Sequence, residues 1–295
     1  MRDVMGKRKS RDRWPELCKL VESDDGLMVR SVGQWSEDKL YVWNRYIEIT
    51  TNAMVGKPQW PNGLAYIDLF SGPGVCQIKG SNRRLPGSPL LAAHAKKPFR
   101  KIILCERDPP TATACQTRLR SLSDCPPFEL FVDDCNAMID NISQAIPRGA
   151  LSLALIDPTG LHAHLETICQ LSNGRQVDLL ILFPDAIDAV RNTEKYYLPN
   201  EESKLDLVFG RGSGWRVGWN QLPNHDASTI RHWFYKFYCK QLREQAGYSH
   251  FGEKVIKGRH GPLYRLVFAA KHPRGLDFWE KVKMKDASGQ LDFNF

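Results

Sequence analysis

Five short apolar runs, at residues 64–70, 101–106, 128–132, 151–156 and 177–183, alternate with segments of helical periodicity, and this rhythm restricts the fold more than any other feature of the chain. A strand buried on one face alternates apolar and polar residues, whereas a continuous apolar run of this length belongs to a strand buried on both faces. The intervening helix candidates, 87–95, 110–122, 136–146 and 161–171, are near the length that a crossover between parallel strands requires. An α/β, doubly wound, Rossmann-like sheet is therefore expected. The rhythm stops at Phe183, and residues 253–257 and 263–270, joined by Gly258-Arg-His-Gly261, read as a closing antiparallel hairpin.

Around this core the chain divides into four parts. Residues 1–57 form a basic N-terminal extension in which Leu40, Trp43, Ile47, Thr50 and Met54 recur at helical spacing, so that one helix face docks on the core. Lys57-Pro-Gln-Trp-Pro-Asn-Gly63 ends that helix, because proline lacks a backbone donor and glycine favours a turn. Residues 58–184 form the cofactor-binding core. Residues 185–250, with Gly210-Arg-Gly-Ser-Gly214 and Trp233-Phe-Tyr-Lys-Phe-Tyr238, read as a helical insertion capping the substrate side. Aromatic residues at helical spacing are more often core than stacking platforms. Residues 251–295 complete the core with the hairpin and a helix.

Tyr66-Ile-Asp-Leu-Phe-Ser-Gly-Pro-Gly74 runs from an apolar strand into a tight turn where backbone approaches a ligand closely. A dinucleotide site favours Gly-x-Gly-x-x-Gly opening directly into a helix; here Pro73 separates the glycines and no third glycine follows. With the closing hairpin, this directs the reading toward S-adenosylmethionine, with Asp68, Phe70, Gly72 and Gly74 at its amino-acid part. Glu106 ends the second apolar run, where a carboxylate accepts both ribose hydroxyls. The long interval to Glu106 is read as an insertion at 76–86. Asp134, after the third run, is placed for the adenine amino group, although helix capping by Asp133 or Asn136 would by itself explain the acids there. Asp157-Pro158-Thr159-Gly160 ends the fourth run. Asp157, Pro158 and Phe183 are the candidate catalytic residues, with Asp157 orienting or deprotonating an acceptor, or capping a helix.

The 295 residues carry a formal charge of +8 with a pI near 9.0, which favours a polyanionic partner without naming one. Lys7, Arg8, Lys9, Arg11 and Arg13 crowd the start, and Arg83, Arg84, Arg191, Arg211 and Arg216 are the candidate nucleic-acid contacts. The eight cysteines include no Cys-x-x-Cys pair, and His162 and His164 would point away from each other on one helix, so no metal site is expected. No apolar run approaches the roughly 20 residues of a membrane helix and no secretory start is visible, which predicts a cytoplasmic protein without membrane contact.

The chain resembles the three-Cys-motif partner proteins, a bacterial family named for its occurrence beside a radical S-adenosylmethionine protein with three cysteines. The likeness rests on Tyr66–Gly74 as quoted above, Pro86-Gly-Ser-Pro89, Ile156-Asp-Pro-Thr-Gly160, Leu182-Phe-Pro184 and Leu263-Tyr-Arg-Leu-Val-Phe-Ala-Ala-Lys-His-Pro-Arg-Gly275. It implies a class I methyltransferase-like fold and a possible radical S-adenosylmethionine partner protein. Thr159 departs from the family's Asp-Pro-Phe/Tyr-Gly, which removes an aromatic that would stack on substrate. The expected function is S-adenosylmethionine-dependent methyl transfer to a DNA or RNA base. The alternative is a non-catalytic protein that binds nucleic acid or a partner, beside a radical S-adenosylmethionine enzyme or in a phage-defence-type system.

Overall fold

The strands resolve the apolar runs into two faces. Along them the side chains alternate between two separate clusters of buried residues: Ala65 and Ile67 against Leu64 and Tyr66, Ala154 and Ile156 against Leu153 and Leu155, Leu179 and Ile181 against Leu180 and Leu182. The sheet is thus covered on both sides, as the unbroken hydrophobicity of the runs required. The computed structural model describes residues 12–258, 261–285 and 287; Lys7, Arg8, Lys9 and Arg11 of the basic start, and Arg259 and His260 of the hairpin loop, lie outside them.

Among the described residues ten strands occur in chain order: β1 Arg30–Val32, β2 Leu64–Asp68, β3 Val75–Ile78, β4 Arg84–Pro86, β5 Lys101–Cys105, β6 Phe128–Phe131, β7 Leu151–Ile156, β8 Gln176–Phe183, β9 His250–Gly258 and β10 Gly261–Ala270. Seven of them make one sheet in the order β6-β5-β2-β7-β8-β10-β9. The first five in that order are mutually parallel, while β10 inserts antiparallel beside β8 and pairs with β9 at the edge. This is the doubly wound sheet with a C-terminal antiparallel hairpin that characterises class I methyltransferase-like folds. The order reverses at β2 and β7, which opens a crevice beyond their carboxyl ends.

The segment 76–86 is more than an insertion. It folds as the hairpin β3–β4, and β1 from the N-terminal segment joins it in parallel, with Arg30 opposite Cys76. This small sheet brings the N-terminal segment beside the glycine turn, because β3 continues directly from Gly74. Further N-terminal anchoring comes from Arg118, whose guanidinium donates to both Asp25 oxygens at 2.6 and 2.8 Å, to Met28 O at 2.7 Å and to Pro73 O at 2.6 Å.

Helix Ser36–Met54 buries the stripe Leu40, Trp43, Ile47, Thr50 and Met54, as its spacing predicts. On the other side of the sheet the helical insertion packs its longest helix, Ala227–Ala246. Asp226 caps its start by accepting from Ser228 N and Thr229 N, and Gly247 ends it in the left-handed region at φ +74°. Phe234 and Tyr238 are core: Tyr238 stacks on Phe183 at 5.2 Å between ring centres. Asp185, at the end of β8 and wholly buried, accepts from Arg231 Nε of that helix at 3.1 Å and from Arg265 Nε of β10 at 2.9 Å. The insertion is so tied to the hairpin through one shared carboxylate. Among the described residues no helix is long and apolar enough to cross a membrane.

Candidate functional site

Two adjoining clefts open at the carboxyl ends of the parallel strands. The larger, of about 750 Å³, is lined by Met28, Phe70, Glu106, Asp134 and Cys135. The smaller, of about 520 Å³, is lined by Gly72, Gly74, Trp35, Lys39, Asp157 and Tyr264. Arg30, Ser31, Phe70, Pro73 and Thr159 border both, so the two form one elongated site divided by the glycine turn. Volumes of this size suit a small-molecule ligand.

Gly72 at φ +65° and Gly74 at φ +86° occupy backbone conformations that other residues adopt only with strain. Gly87 closes the turn from below: its N–H donates to Gly74 O at 2.7 Å, and a Cβ there would lie 2.8 Å from the same oxygen. Asp68 does not reach either cleft. It is fully buried, its Oδ1 accepts from Phe70 N at 3.1 Å, and Tyr66 OH, itself an acceptor for Trp43 Nε1, donates to its Oδ2 at 3.3 Å. Burial pushes its carboxyl up from 3.8 to about 7, partly opposed by hydrogen bonds from Ser88 and Phe70. The expected direct contact of Asp68 with a ligand is therefore corrected: strand alternation turns this side chain inward, where it holds the turn.

Glu106 and Asp134 do line the larger cleft. Glu106 accepts from Gly72 N at 2.9 Å through Oε2 and from Asp108 N at 3.0 Å through Oε1, which couples the end of β5 to the turn. Each carboxylate oxygen retains a lone pair beyond those bonds. Asp134 Oδ1 accepts from Asn136 N and Nδ2, both at 2.8 Å. Asn136 is not the cap of the helix that follows it. Its Oδ1 accepts from His164 N at 3.1 Å and Thr167 Oγ1 at 2.7 Å, so it braces the start of helix Leu165–Ser172 instead. That helix begins four residues later than 161–171 predicts, which leaves His162 and His164 in the preceding loop, both lining the larger cleft. Burial pushes both imidazoles toward the neutral form.

In the smaller cleft Asp157 Oδ2 accepts from Lys39 Nζ at 2.5 Å, and Asp157 caps no helix because the next one begins only at Leu165. Pro158 is buried at the cleft floor and Thr159 is exposed at its rim. Phe183, a candidate catalytic residue by sequence, is excluded: it is 2% exposed and points to the opposite face of the sheet, among Phe209, Phe234 and Tyr238. Its neighbour Leu182 lines the cleft, as the two-residue period of a strand dictates.

The candidate nucleic-acid arginines separate into two groups. Arg84 and Arg216 serve inside the protein. Arg84 pairs with Asp24 at 2.6 Å with its side chain 8% exposed, and Arg216 pairs with Asp206 at 2.5 Å while donating to Tyr197 O and Leu198 O. Arg83 pairs with Glu37 yet keeps half its side chain exposed. Arg191 and Arg211 are exposed on the insertion, and the Arg211 charge acts on His164 at the cleft. Arg30, Trp35, Lys39 and Tyr264 have no counterpart among the candidates. They lie in the N-terminal segment and in β10, far in sequence from the turn at Gly72 and Gly74, and only tertiary pairing brings them to it.

No protein-family model matches the chain, and no curated protein matches it. Solved structures resemble it in fold at low identity. A Legionella pneumophila protein, LPL1258, is 12% identical over 88% of this chain and 96% of its own, with a TM-score of 0.49. The O-methyltransferase from Bacillus cereus in complex with SAH is 11% identical over 89% and 92%, with a TM-score of 0.43. The METTL16 methyltransferase domain is 11% identical over 88% and 95%, with a TM-score of 0.44.

Proposed function

We propose that the chain is an S-adenosylmethionine-dependent methyltransferase acting on a nucleic-acid base. The observation that carries this is the convergence of the glycine turn, Glu106 and Asp134 on one cleft that continues past Gly72 to Asp157 and Lys39. The donor set suits the cofactor part by part. In this reading Glu106 would accept from the ribose hydroxyls and Asp134 from the adenine amino group, with Phe70 and buried Cys135, which line the same cleft, against the apolar ring. Arg30 supports the carboxylate end: a Cβ on Gly72 would lie 3.6 Å from its Nη1, so its charge stands beside the turn.

S-adenosylmethionine, held by the glycine turn, Glu106 and Asp134, would supply a methyl group activated by a positively charged sulfur. The protein's remaining task is to hold an acceptor close and in line and to take up its proton. Asp157 is the group for that proton, and Lys39 holds its carboxylate at the cleft wall. The excess of 8 positive charges and the exposed Arg191 and Arg211 support a polyanionic substrate. Kinship with the three-Cys-motif partner proteins, and with it a radical S-adenosylmethionine partner, is part of the same proposal and rests on the motifs quoted above.

Calorimetric titration with S-adenosylhomocysteine tests the cofactor. Saturable binding to the wild type is expected, weakened at least about tenfold by Glu106→Gln, which loses a charge-assisted hydrogen bond. Absence of binding to the folded wild type removes the proposal.

A further inference from the structure

We propose that Trp35 and Tyr264 form an aromatic shelf that receives the methyl acceptor as a planar nitrogen heterocycle, a nucleobase, beside Asp157 and Lys39. This names the substrate subsite of the methyltransferase reading and rests on it. The two rings come from distant parts of the chain, Trp35 from the residue preceding helix Ser36–Met54 and Tyr264 from β10, yet their centres are 4.5 Å apart and inclined by 33°. Both are partly buried and both line the smaller cleft with Asp157 and Pro158. The buried pair Phe268–Trp279 on the same side of the sheet is fully enclosed by contrast, so the shelf is not simply another core stack.

Two local features aim these rings. A register shift between Pro262 and Tyr264 interrupts the pairing of β10 with β9, a bulge of the kind that redirects a side chain next to a site. Gly33 lies against the indole: a Cβ there would be 2.3 Å from Trp35 Nε1, so a larger residue would displace the ring. Lys39 Nζ lies 5.5 Å from the Trp35 ring centre, which places the Lys39–Asp157 pair at the shelf. Burial, and then the charge of Asp157, push the Tyr264 hydroxyl up, so that ring remains neutral and apolar.

A planar ring is the ligand that such a surface favours, because stacking on an aromatic face stabilises any base regardless of its sequence. Thr159 offers no ring beside Asp157 and Pro158, whereas Trp35 and Tyr264 line the same cleft. With the ring on the shelf, an N–H at its edge faces Asp157. The acceptor nitrogen's lone pair forms the new bond to the methyl carbon, the sulfur keeps the electrons of the bond that breaks, and the displaced proton passes to the Asp157 carboxylate and then to water.

The test titrates the full chain, saturated with S-adenosylhomocysteine, into 2-aminopurine riboside and into a single-stranded oligonucleotide carrying one 2-aminopurine, with fluorescence quenching as the readout. Saturable quenching is expected for the wild type and for Tyr264→Phe, and Tyr264→Leu and Trp35→Leu are expected to weaken it at least about tenfold. Quenching of the oligonucleotide alone assigns the base to a polynucleotide; quenching of the riboside as well assigns it to free nucleosides too. Absence of quenching in the wild type, or leucine variants that bind like it, overturns the shelf. Calorimetry of S-adenosylhomocysteine on the same samples separates the two failures: intact cofactor binding without quenching refutes the shelf alone. Where a leucine variant fails to fold by circular dichroism, Tyr264→His supplies a polar ring in its place, and stacking requires it to retain more binding than Tyr264→Thr.

Discussion

Asp68→Asn distinguishes a carboxylate that supports the turn from one that contacts a ligand. The carboxyl is raised from 3.8 to about 7, foremost by burial, so its folded value lies above its unfolded one. Its contribution to stability is therefore fully present below about pH 4 and is lost as the pH rises through 7. The interval of about 3 pH units, at about 1.4 kcal/mol each, makes the ionised form cost roughly 4 kcal/mol at pH 8. Asparagine carries no such charge and keeps an oxygen for Phe70 N, so it is expected to equal the wild type near pH 4 and to exceed it by up to about 4 kcal/mol at pH 8. Urea unfolding at pH 4, 6 and 8, with unchanged m-values, measures the difference. Affinity for S-adenosylhomocysteine at pH 7 should stay within about threefold, since the side chain lines neither cleft. A variant that unfolds with the wild-type pH profile, or that loses most of its affinity while folded, refutes the reasoning.

Gly87→Ala adds no backbone strain at φ −72°, but its Cβ would sit 2.8 Å from Gly74 O, a backbone atom that cannot give way without moving the turn. A loss of about 1–3 kcal/mol by urea unfolding is expected, with a parallel fall in cofactor affinity by calorimetry; an unchanged affinity would detach this contact from the site. Arg118→Ala removes the anchor between Asp25, Met28 O and Pro73 O and should cost about 3 kcal/mol, with weakened cofactor binding because Arg30 is no longer held at Gly72. Asp25 is held below its ordinary 3.8 foremost by the hydrogen bond from Arg118, so that stabilisation is present above 3.8 and lost as the pH falls further. Unfolding between pH 2 and 5 should show a smaller acid-side loss in the variant than in the wild type, the remainder coming from other carboxylates such as Asp206.

Much of the architecture is written locally. The continuous apolar runs required strands covered on both faces, and the spacing of Leu40, Trp43 and Ile47 required a helix with one buried stripe; both follow from side-chain period alone. The convergence of the turn at Gly72 and Gly74 with the acids Glu106 and Asp134 on adjoining clefts was legible for the same reason, since each stands at or just beyond a strand end. Period also decides Asp68 and Phe183, but the side to which each points depends on which face the sheet gives to the insertion. The end of the smaller cleft at Asp157 had no local signature. Lys39 meets Asp157 across 118 residues, and Trp35 meets Tyr264 across a still longer separation. What the sequence alone determined was therefore the sheet and the turn, which arise from neighbours along the chain. Only the tertiary structure decided the far wall of the cleft, because β1, helix Ser36–Met54 and the inserted β10 reach it by long-range pairing that no spacing encodes.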